Sequence, residues 1–505
     1  MNRATPATLL HLAEGRAAIP LAKRLAILIL PALAFLNAAW YIAYAANPLA
    51  MADAWYFIEA FLIRTQEQGL DIIDLYVKRG GSDHAQPLQK LLLLANARWF
   101  GLDFVMESFA GLCMALGTYL VIQHVLLRDQ IRQRQPFWQM LLACAAIATT
   151  LVSLNSGMVF NWSLVTLGYL PHLFAAIAAT FLWRSLQEGK WSAFAVSFLV
   201  ISFTLDAMAM IIGASFVLAC VLSALLRQSD WRRVAGAAVC ILLMLAIYKL
   251  VSHNYLHAYL PPEPPAADKG RQLIGLLPEL PAMAATVLSA SLIHPGPLGN
   301  LVGDQTEHVQ LLLACLVAFT HLWFWHRTIR GPWNASMFLS VCIMLMFYAS
   351  VAGIIVGRVT MFGPSYLEEP RYVLTYQMST VALLLMLAGA PRSSPGHWRS
   401  SGIAVAIMLS ILALQLPLSL HSWHEGRFLQ SYYHTMARQM YLLGLNPAHE
   451  PDSCVPMLTI CSSATGERVR AIQFLKDNQL NAYSPALLHR YSLEATATPP
   501  NPPEK

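Results

Sequence analysis

From about residue 25 to residue 420, the 505-residue chain repeats apolar stretches of the length that crosses a lipid bilayer. Bilayer hydrocarbon requires about 20 apolar residues per helix. Only 12% of the chain is charged, against about 25% in soluble proteins. Because lipid offers backbone groups no hydrogen-bond partner, these stretches must fold as helices. The sequence predicts an all-α polytopic membrane protein with about 11 transmembrane helices, at 25–46, 103–126, 138–154, 164–183, 192–209, 211–226, 234–252, 309–325, 335–356, 372–390 and 401–420.

Lysine and arginine residues predict the orientation, because loops on the cytoplasmic side are enriched in them. With the N-terminus inside, the inner segments hold 16 Lys and Arg residues and only four acidic residues. Residues 1–24 are then a cytoplasmic N-terminal segment, and the C-terminus lies outside. The net charge of +6 comes from these inner segments and therefore gives no case for nucleic acid as a partner.

The predicted membrane domain, 25–420, carries two long outer loops, 47–102 and 253–308. The first is expected to contain interfacial helices, since the apolar run 87–100 is too short to span. Residues 421–494 form a predicted small periplasmic C-terminal domain, which at about 75 residues is expected to pack against the membrane domain. Residues 495–505 hold four prolines and are predicted to be a disordered tail.

Two of the eight cysteines, Cys454 and Cys461, lie together in the predicted outer tail, whereas the other six lie in spans as small apolar residues. An oxidising compartment would permit a disulfide between the two, and both the bridged and the free state remain open. No Cys and His spacing predicts a zinc site.

Asp53 lies a few residues beyond the first span, between Ala52 and Ala54. A carboxylate at the membrane surface can have its pKa raised by partial desolvation, and could act as a base or hold a divalent cation beside a lipid phosphate. The structural alternative is an N-cap for the helix that begins near Trp55.

Asp83, His84 and Gln86 stand at the entry to the predicted interfacial helix that starts at Pro87. His84 could orient a substrate or share a proton, because its ordinary pKa is near neutrality. The alternative is that this segment only caps the helix.

Arg358 follows the ninth span, and Arg371 with Tyr372 opens the tenth. Two arginines at outer helix ends could bind a phosphate at the depth of the lipid headgroups. The alternative is that both are snorkelling anchors paired with Glu368 or Glu369.

Asn161 and Trp162 occupy a short outer connection, and His172 follows within the fourth span. A histidine inside a span is a candidate functional residue, although a hydrogen-bonded contact between helices is the commoner role. Asp206, near the outer end of the fifth span, could line the same cavity.

This arrangement resembles the GT-C class of membrane glycosyltransferases, multi-span proteins with an essential acid in the first outer loop, and Asp53 matches that acid in position. More closely, the chain resembles a group of poorly characterised bacterial multi-span membrane proteins of that general build. The matching pieces are Asp53-Ala54-Trp55, His84-Ala85-Gln86-Pro87 with Leu91 to Phe100, Asn161-Trp162, Gly357-Arg358 with Arg371-Tyr372, and Phe474-Leu475 with Leu480. Many members carry paired acids in that loop. Here the acid nearest to Asp53 is Glu59, six residues on, which favours a single-base mechanism.

The resemblance implies sugar transfer from a polyprenyl-phosphate donor to a lipid-linked glycan or envelope polysaccharide, at the outer face of a bacterial cytoplasmic membrane. Asp53 and His84 would be catalytic. Arg358, Arg371, Tyr372, Asp83, Gln86, Asn161, Trp162 and His172 would bind substrate. The alternatives are a transporter or flippase for a lipid-linked glycan, which would need polar groups at mid-membrane depth, and a non-catalytic envelope assembly protein.

Overall fold

The computed structural model describes residues 21–78, 85–256, 266–389, 391, 397–449, 451 and 453–493, and these ranges contain helices and no strand. The predicted all-α class is confirmed. We number the helices of ten or more residues: α1 Leu21–Ala45, α2 Pro87–Phe100, α3 Phe104–Arg132, α4 Phe137–Leu151, α5 Tyr169–Glu188, α6 Ser192–Leu205, α7 Ala207–Leu225, α8 Trp231–Val251, α9 Ala266–Gly275, α10 Leu280–Ala290, α11 Thr306–Arg330, α12 Ala335–Ile354, α13 Val373–Gly389, α14 His397–Leu445 and α15 Thr465–Asp477.

Within those ranges, nine helical segments are long and apolar enough to cross a bilayer, and two further apolar helices, α4 and α6, are shorter. Each of the eleven predicted spans overlaps one of these helices, and nine of the described helices reach spanning length, so the predicted number of about 11 spans stays a prediction. At about 1.5 Å per residue, the 14 residues of α6 extend only about 21 Å, less than the roughly 30 Å of bilayer hydrocarbon. Residues 72–78 and 85–100 pack at the end of α6, where Tyr76 Oη donates to the Phe203 carbonyl at 2.8 Å.

Helix α13 lies at the centre of the bundle. In the most apolar 18 residues of the segment Pro370–Gly389, 83% of the residues are buried. In the same length of Gly402–Leu445, at the periphery, 17% of the residues are buried. The last carbonyls of α13 accept hydrogen bonds from side-chain amides at the end of α3 and in the neighbouring loops: Gln130 and Gln135 bond to Ala388, and Gln133 and Asn334 bond to Gly389. These amides satisfy a helix end that has no partner of its own.

Helix α14 is 49 residues long and continues from the last apolar stretch into the tail without a break, although it contains Pro417. The predicted boundary at residue 420 lies inside this helix. A proline is tolerated within a membrane helix where neighbouring groups satisfy the freed carbonyl. The tail therefore leaves the bundle on a helix.

The tail packs on residues 46–63, the start of the first loop (residues 46–102), in one shared hydrophobic cluster. Its members include Leu49, Met51, Trp55, Phe61, Trp162, Tyr433, Met440, Leu458, Leu475 and Leu487. Cys454 and Cys461 form a disulfide, with their Cα atoms 6.4 Å apart. The end of the bundle that carries this cluster is called the tail end below.

Asn481 is fully buried where the tail meets the first loop. Its Nδ2 donates to the carbonyls of Pro48 and Leu102 at 3.0 and 2.7 Å, and its Oδ1 accepts from the Ala50 N–H at 3.0 Å. The side chain therefore satisfies three backbone groups of another segment.

Asn481→Ala should destabilise the docking of the tail by about 2–4 kcal/mol, because each buried backbone group left unpaired costs about 1–3 kcal/mol. Thermal unfolding in detergent and proteolysis of the tail would measure the effect. Asn478→Ala is the control; it removes an exposed hydrogen bond to Gln66 and a local one to the Phe474 carbonyl of α15, and should change stability by less than about 1 kcal/mol. Equal stability of the two variants would contradict the role given to Asn481.

Candidate functional site

A cavity of about 270 Å³ lies at the tail end, between α2, the start of α5, the junction of α6 and α7, and the start of α13. Leu164, Val165, Leu170, Pro171, Leu205, Met208 and Leu374 line its apolar walls. Its polar lining consists of Gln86, Gln89, His172, Thr204, Ser350, Arg371, Tyr372 and Thr375. Four residues that the sequence predicts to bind substrate, Gln86, His172, Arg371 and Tyr372, therefore share one cavity.

Arg371 is held among aromatic rings. Its guanidinium carbon lies 5.1, 5.6 and 5.9 Å from the ring centroids of Tyr366, Tyr372 and Trp162, distances typical of cation–π contacts. One terminal nitrogen donates to Tyr366 Oη at 2.5 Å and lies 3.7 Å from a Glu369 carboxylate oxygen. The Nε atom is buried and bonds to no residue that the structure describes.

Arg358 lies in a π-helical turn, Ile355–Val359, that continues α12. Arg358 does not line the cavity, whereas Arg371 does.

His172 is 8% exposed and lies within the apolar segment Ser163–Glu188. It lines the cavity, and in the described ranges its ring makes neither a hydrogen bond nor an ion pair. The predicted commoner role, a hydrogen-bonded contact between helices, is therefore not the arrangement found among these residues. A buried imidazole facing a cavity is available to a ligand.

Helix α2 places Gln86 and Gln89 at the cavity. Gln86 has a left-handed backbone, with φ 53°, which turns the chain into the helix at Pro87.

Lys90 is 1% exposed, and its ammonium donates to the carbonyls of Asp74, Leu75 and Val77 at 2.9, 3.1 and 2.7 Å. Burial lowers the pKa of Lys90 to about 8, while the negative charges of Asp74 and Asp206 oppose that shift.

Asp206 connects the first loop to the helices beneath it. This residue separates α6 from α7, has φ 48°, and is 1% exposed. Its carboxylate pairs with Lys78 Nζ at 3.0 Å, accepts from the Ala85 N–H at 2.9 Å, and accepts from Tyr248 Oη. Because Ala85 precedes Gln86, and Thr204 and Leu205 also line the cavity, this cluster sets the position of that wall.

Asp53 occupies the N-cap position before Ala54–Phe57, but its side chain makes no capping hydrogen bond. It does not line the cavity. Its neighbours Ala54 and Phe57 line a small void that shares Gln89 and Leu164 with the cavity. Asp53 is therefore connected to the cavity through Ala54, which lines the adjoining void.

The remaining predicted residues fall into two groups. Trp162 contacts Arg371 and belongs to the hydrophobic cluster shared by the tail and the first loop. The Asn161 carbonyl accepts a hydrogen bond from the Asn47 N–H at 2.9 Å, which joins the start of the first loop to the segment of Asn161 and Trp162. Asp83 and His84 lie outside the described residues, as do most of the predicted cytoplasmic segment 1–24 and the predicted disordered segment 495–505.

Sequence reasoning missed three polar residues near the cavity: Gln89, Tyr366 and Glu107. Glu107 is 3% exposed, accepts from Asn96 Nδ2 at 2.9 Å, and lines the small void beside Ala54. A carboxylate four residues into an apolar helix is itself a signal, since such a group needs partners. Gln89 and Tyr366 carry no comparable signal in the sequence.

In the part of the chain that the structure describes, no group of three or more His, Cys, Asp and Glu side chains could hold a metal ion. The possible divalent cation remains a prediction.

No protein-family model matches the chain, and no curated protein sequence matches it. The resemblance to GT-C glycosyltransferases therefore stands on the residues quoted for it, and the function is inferred from the cavity.

Asp206→Asn should destabilise the protein by about 3–5 kcal/mol, because it leaves the buried Lys78 ammonium without its counter-charge. Thermal unfolding and hydrogen exchange of residues 72–78 and 85–100 would measure the loss. Glu188→Gln removes an ion pair in which both side chains are at least half exposed, and should leave stability unchanged because water screens such a pair. An Asp206→Asn protein as stable as Glu188→Gln would contradict the anchoring role.

Proposed function

We propose that the protein is a membrane glycosyltransferase that moves a sugar from a polyprenyl-phosphate donor to a lipid-linked glycan or envelope polysaccharide acceptor. The observation that carries the proposal is the composition of the cavity, which combines apolar walls with Arg371 and a group of neutral polar side chains. Such a lining suits an amphiphile with an anionic head and a hydrocarbon tail. The apolar helices indicate a membrane protein, and the outer face of a bacterial cytoplasmic membrane is the location we propose.

In this mechanism Arg371 binds the donor phosphate. Its Nε–H has no partner in the described ranges and is free to donate, and a guanidinium suits phosphate because its donors match two phosphate oxygens. Arg358 adds a second positive charge. As the bond between the sugar C1 and the phosphate oxygen breaks, the bonding electrons go to the phosphate, and both arginines stabilise that charge.

Asp53 is the proposed base. It takes the proton of the acceptor hydroxyl while that oxygen bonds to C1, so the products are the glycoside, the polyprenyl phosphate and a protonated carboxyl group. Because Asp53 lies beside the cavity rather than on its wall, the acceptor is expected to enter from the Ala54–Phe57 side. His84 would support the acceptor, whereas His172 and Gln86 would contact the donor.

Arg371→Ala should lower sugar transfer about 10- to 100-fold, since a charge-assisted hydrogen bond contributes about 1.5–3 kcal/mol. Transfer would be measured in membranes supplied with a polyprenyl-phosphate hexose or pentose, corrected for protein level. Arg371→Lys should retain part of the activity, because it keeps the charge and loses the planar donor group. The control is Arg470→Ala, whose ion pair with Glu67 is about half exposed. Equal losses in Arg371→Ala and Arg470→Ala would contradict the phosphate site.

Asp53→Asn should lower transfer by about 100-fold or more at unchanged protein level, the usual contribution of a general base. Mass spectrometry of envelope glycans, with and without the protein, would identify the sugar and distinguish transfer from transport. The matched control is Glu59→Gln, at the acid nearest to Asp53 in the sequence. Glu59 is the alternative base, because burial first and the charge of Glu467 second raise its pKa. Loss of transfer in Glu59→Gln with full transfer in Asp53→Asn would assign the base to Glu59.

A further inference from the structure

The tail segment between Cys454 and Cys461 contacts the backbone immediately before Asp53. The Ala52 N–H donates to the Met457 carbonyl at 2.9 Å, and Thr459 Oγ1 donates to the Ala52 carbonyl at 3.3 Å. Both polar backbone groups of Ala52 are thus bonded to residues enclosed by the disulfide.

Ala52 needs such support because of its conformation. Its φ is 46°, in the left-handed region that residues with a Cβ rarely adopt. The chain turns here, with Ala54 N donating to the Met51 carbonyl at 3.0 Å and Trp55 N to the Ala52 carbonyl at 3.2 Å. The torsion of Ala52 therefore determines the direction from which Asp53 enters its helix, and an unusual torsion persists only where surrounding contacts fix it.

The disulfide loop is itself fixed to α14. Val455 N donates to Gln439 Oε1 at 2.9 Å, and Met457 N donates to Tyr432 Oη at 3.3 Å. Leu458 and Ile460, inside the loop, are buried in the cluster shared with the first loop. The loop thus forms a short connection from α14 to Ala52.

We propose that the loop closed by Cys454 and Cys461 is a positioning element that orients Asp53 toward the acceptor. This inference rests on the proposed function. The two cysteines are seven positions apart, and the disulfide restricts the conformations of the segment between them, which contains Met457 and Thr459. Without it the bonds to Ala52 loosen, and a displacement of about 1 Å at a reacting group can lower a rate about 100-fold. Transfer therefore requires an oxidised tail.

The first test is the double variant Cys454→Ser with Cys461→Ser. We expect kcat to fall about ten-fold or more with KM for the donor unchanged, because the phosphate site is left intact. A dithiol reductant, which is oxidised as the two cysteine sulfurs take up two electrons and two protons, should lower wild-type kcat to the same level and leave the double variant unaffected. Cys315→Ser, at an exposed cysteine of α11, should behave as wild type. Retained kcat in the double variant would overturn the proposal.

A second pair of variants covers the case in which the double variant fails to fold. Thr459→Val keeps the disulfide and removes the side-chain bond to Ala52, so kcat should fall two- to five-fold. Thr435→Val makes the same change at an exposed site where the hydroxyl bonds to its own helix, and should leave kcat unchanged. Equal kcat in the two variants would count against the positioning role.

Hydrogen exchange at the Ala52 amide separates this inference from the proposed function. The amide should exchange at least ten-fold faster in the double variant or after reduction, whatever reaction the protein performs. Unchanged exchange would overturn the positioning role even if Asp53→Asn abolishes transfer. Faster exchange together with full transfer in Asp53→Asn would show that the disulfide loop holds Ala52, and would overturn Asp53 as the proposed base.

Discussion

The requirement that buried backbone groups find partners governs how the irregular segments of this chain are held. Away from water, an unpaired N–H or C=O costs about as much as a lost hydrogen bond. Single polar side chains meet this need: Lys90 bonds to three carbonyls, Arg468 to those of Pro447, Ala448, Cys461 and Ser463, and Asn481 to three backbone groups of the first loop. Each holds a stretch of loop or short 3-10 helix whose backbone groups α-helical bonding does not satisfy.

The cavity differs from these segments in its polar groups. His172, the Arg371 Nε atom and the Gln89 Oε1 atom are buried or nearly so, and each is without a hydrogen bond to any described residue. Buried side-chain atoms without a bond to a described residue also occur away from the cavity, Gln130 Oε1 and Ser229 Oγ among them, so a missing partner does not by itself mark a ligand site. The groups at the cavity differ because they line a space of about 270 Å³ that a ligand can enter.

The sequence predicts the helical class and the places of the spans, since apolar runs of 20 residues have few alternatives. It also brings Arg371, Tyr372, Gln86 and His172 to one region, because the alternation of loops puts them at the same end of the bundle. The anchoring role of Asp206 could not be predicted. Its partner Lys78 is 128 positions away, and periodicity does not report pairs at such separation. The sequence also did not predict that α14 continues through Pro417 into the tail, because proline usually marks a helix end.

Trp162 connects the two halves of the candidate site. It belongs to the hydrophobic cluster formed by the tail and the first loop, and its ring lies 5.9 Å from the guanidinium carbon of Arg371. Tail packing therefore bears on both proposed groups: on Asp53 through the backbone of Ala52, and on Arg371 through the indole. The tail thus packs against elements that adjoin both proposed groups, and its contact with Asp53 runs through hydrogen bonds to the preceding residue, whereas its contact with Arg371 runs through one aromatic ring.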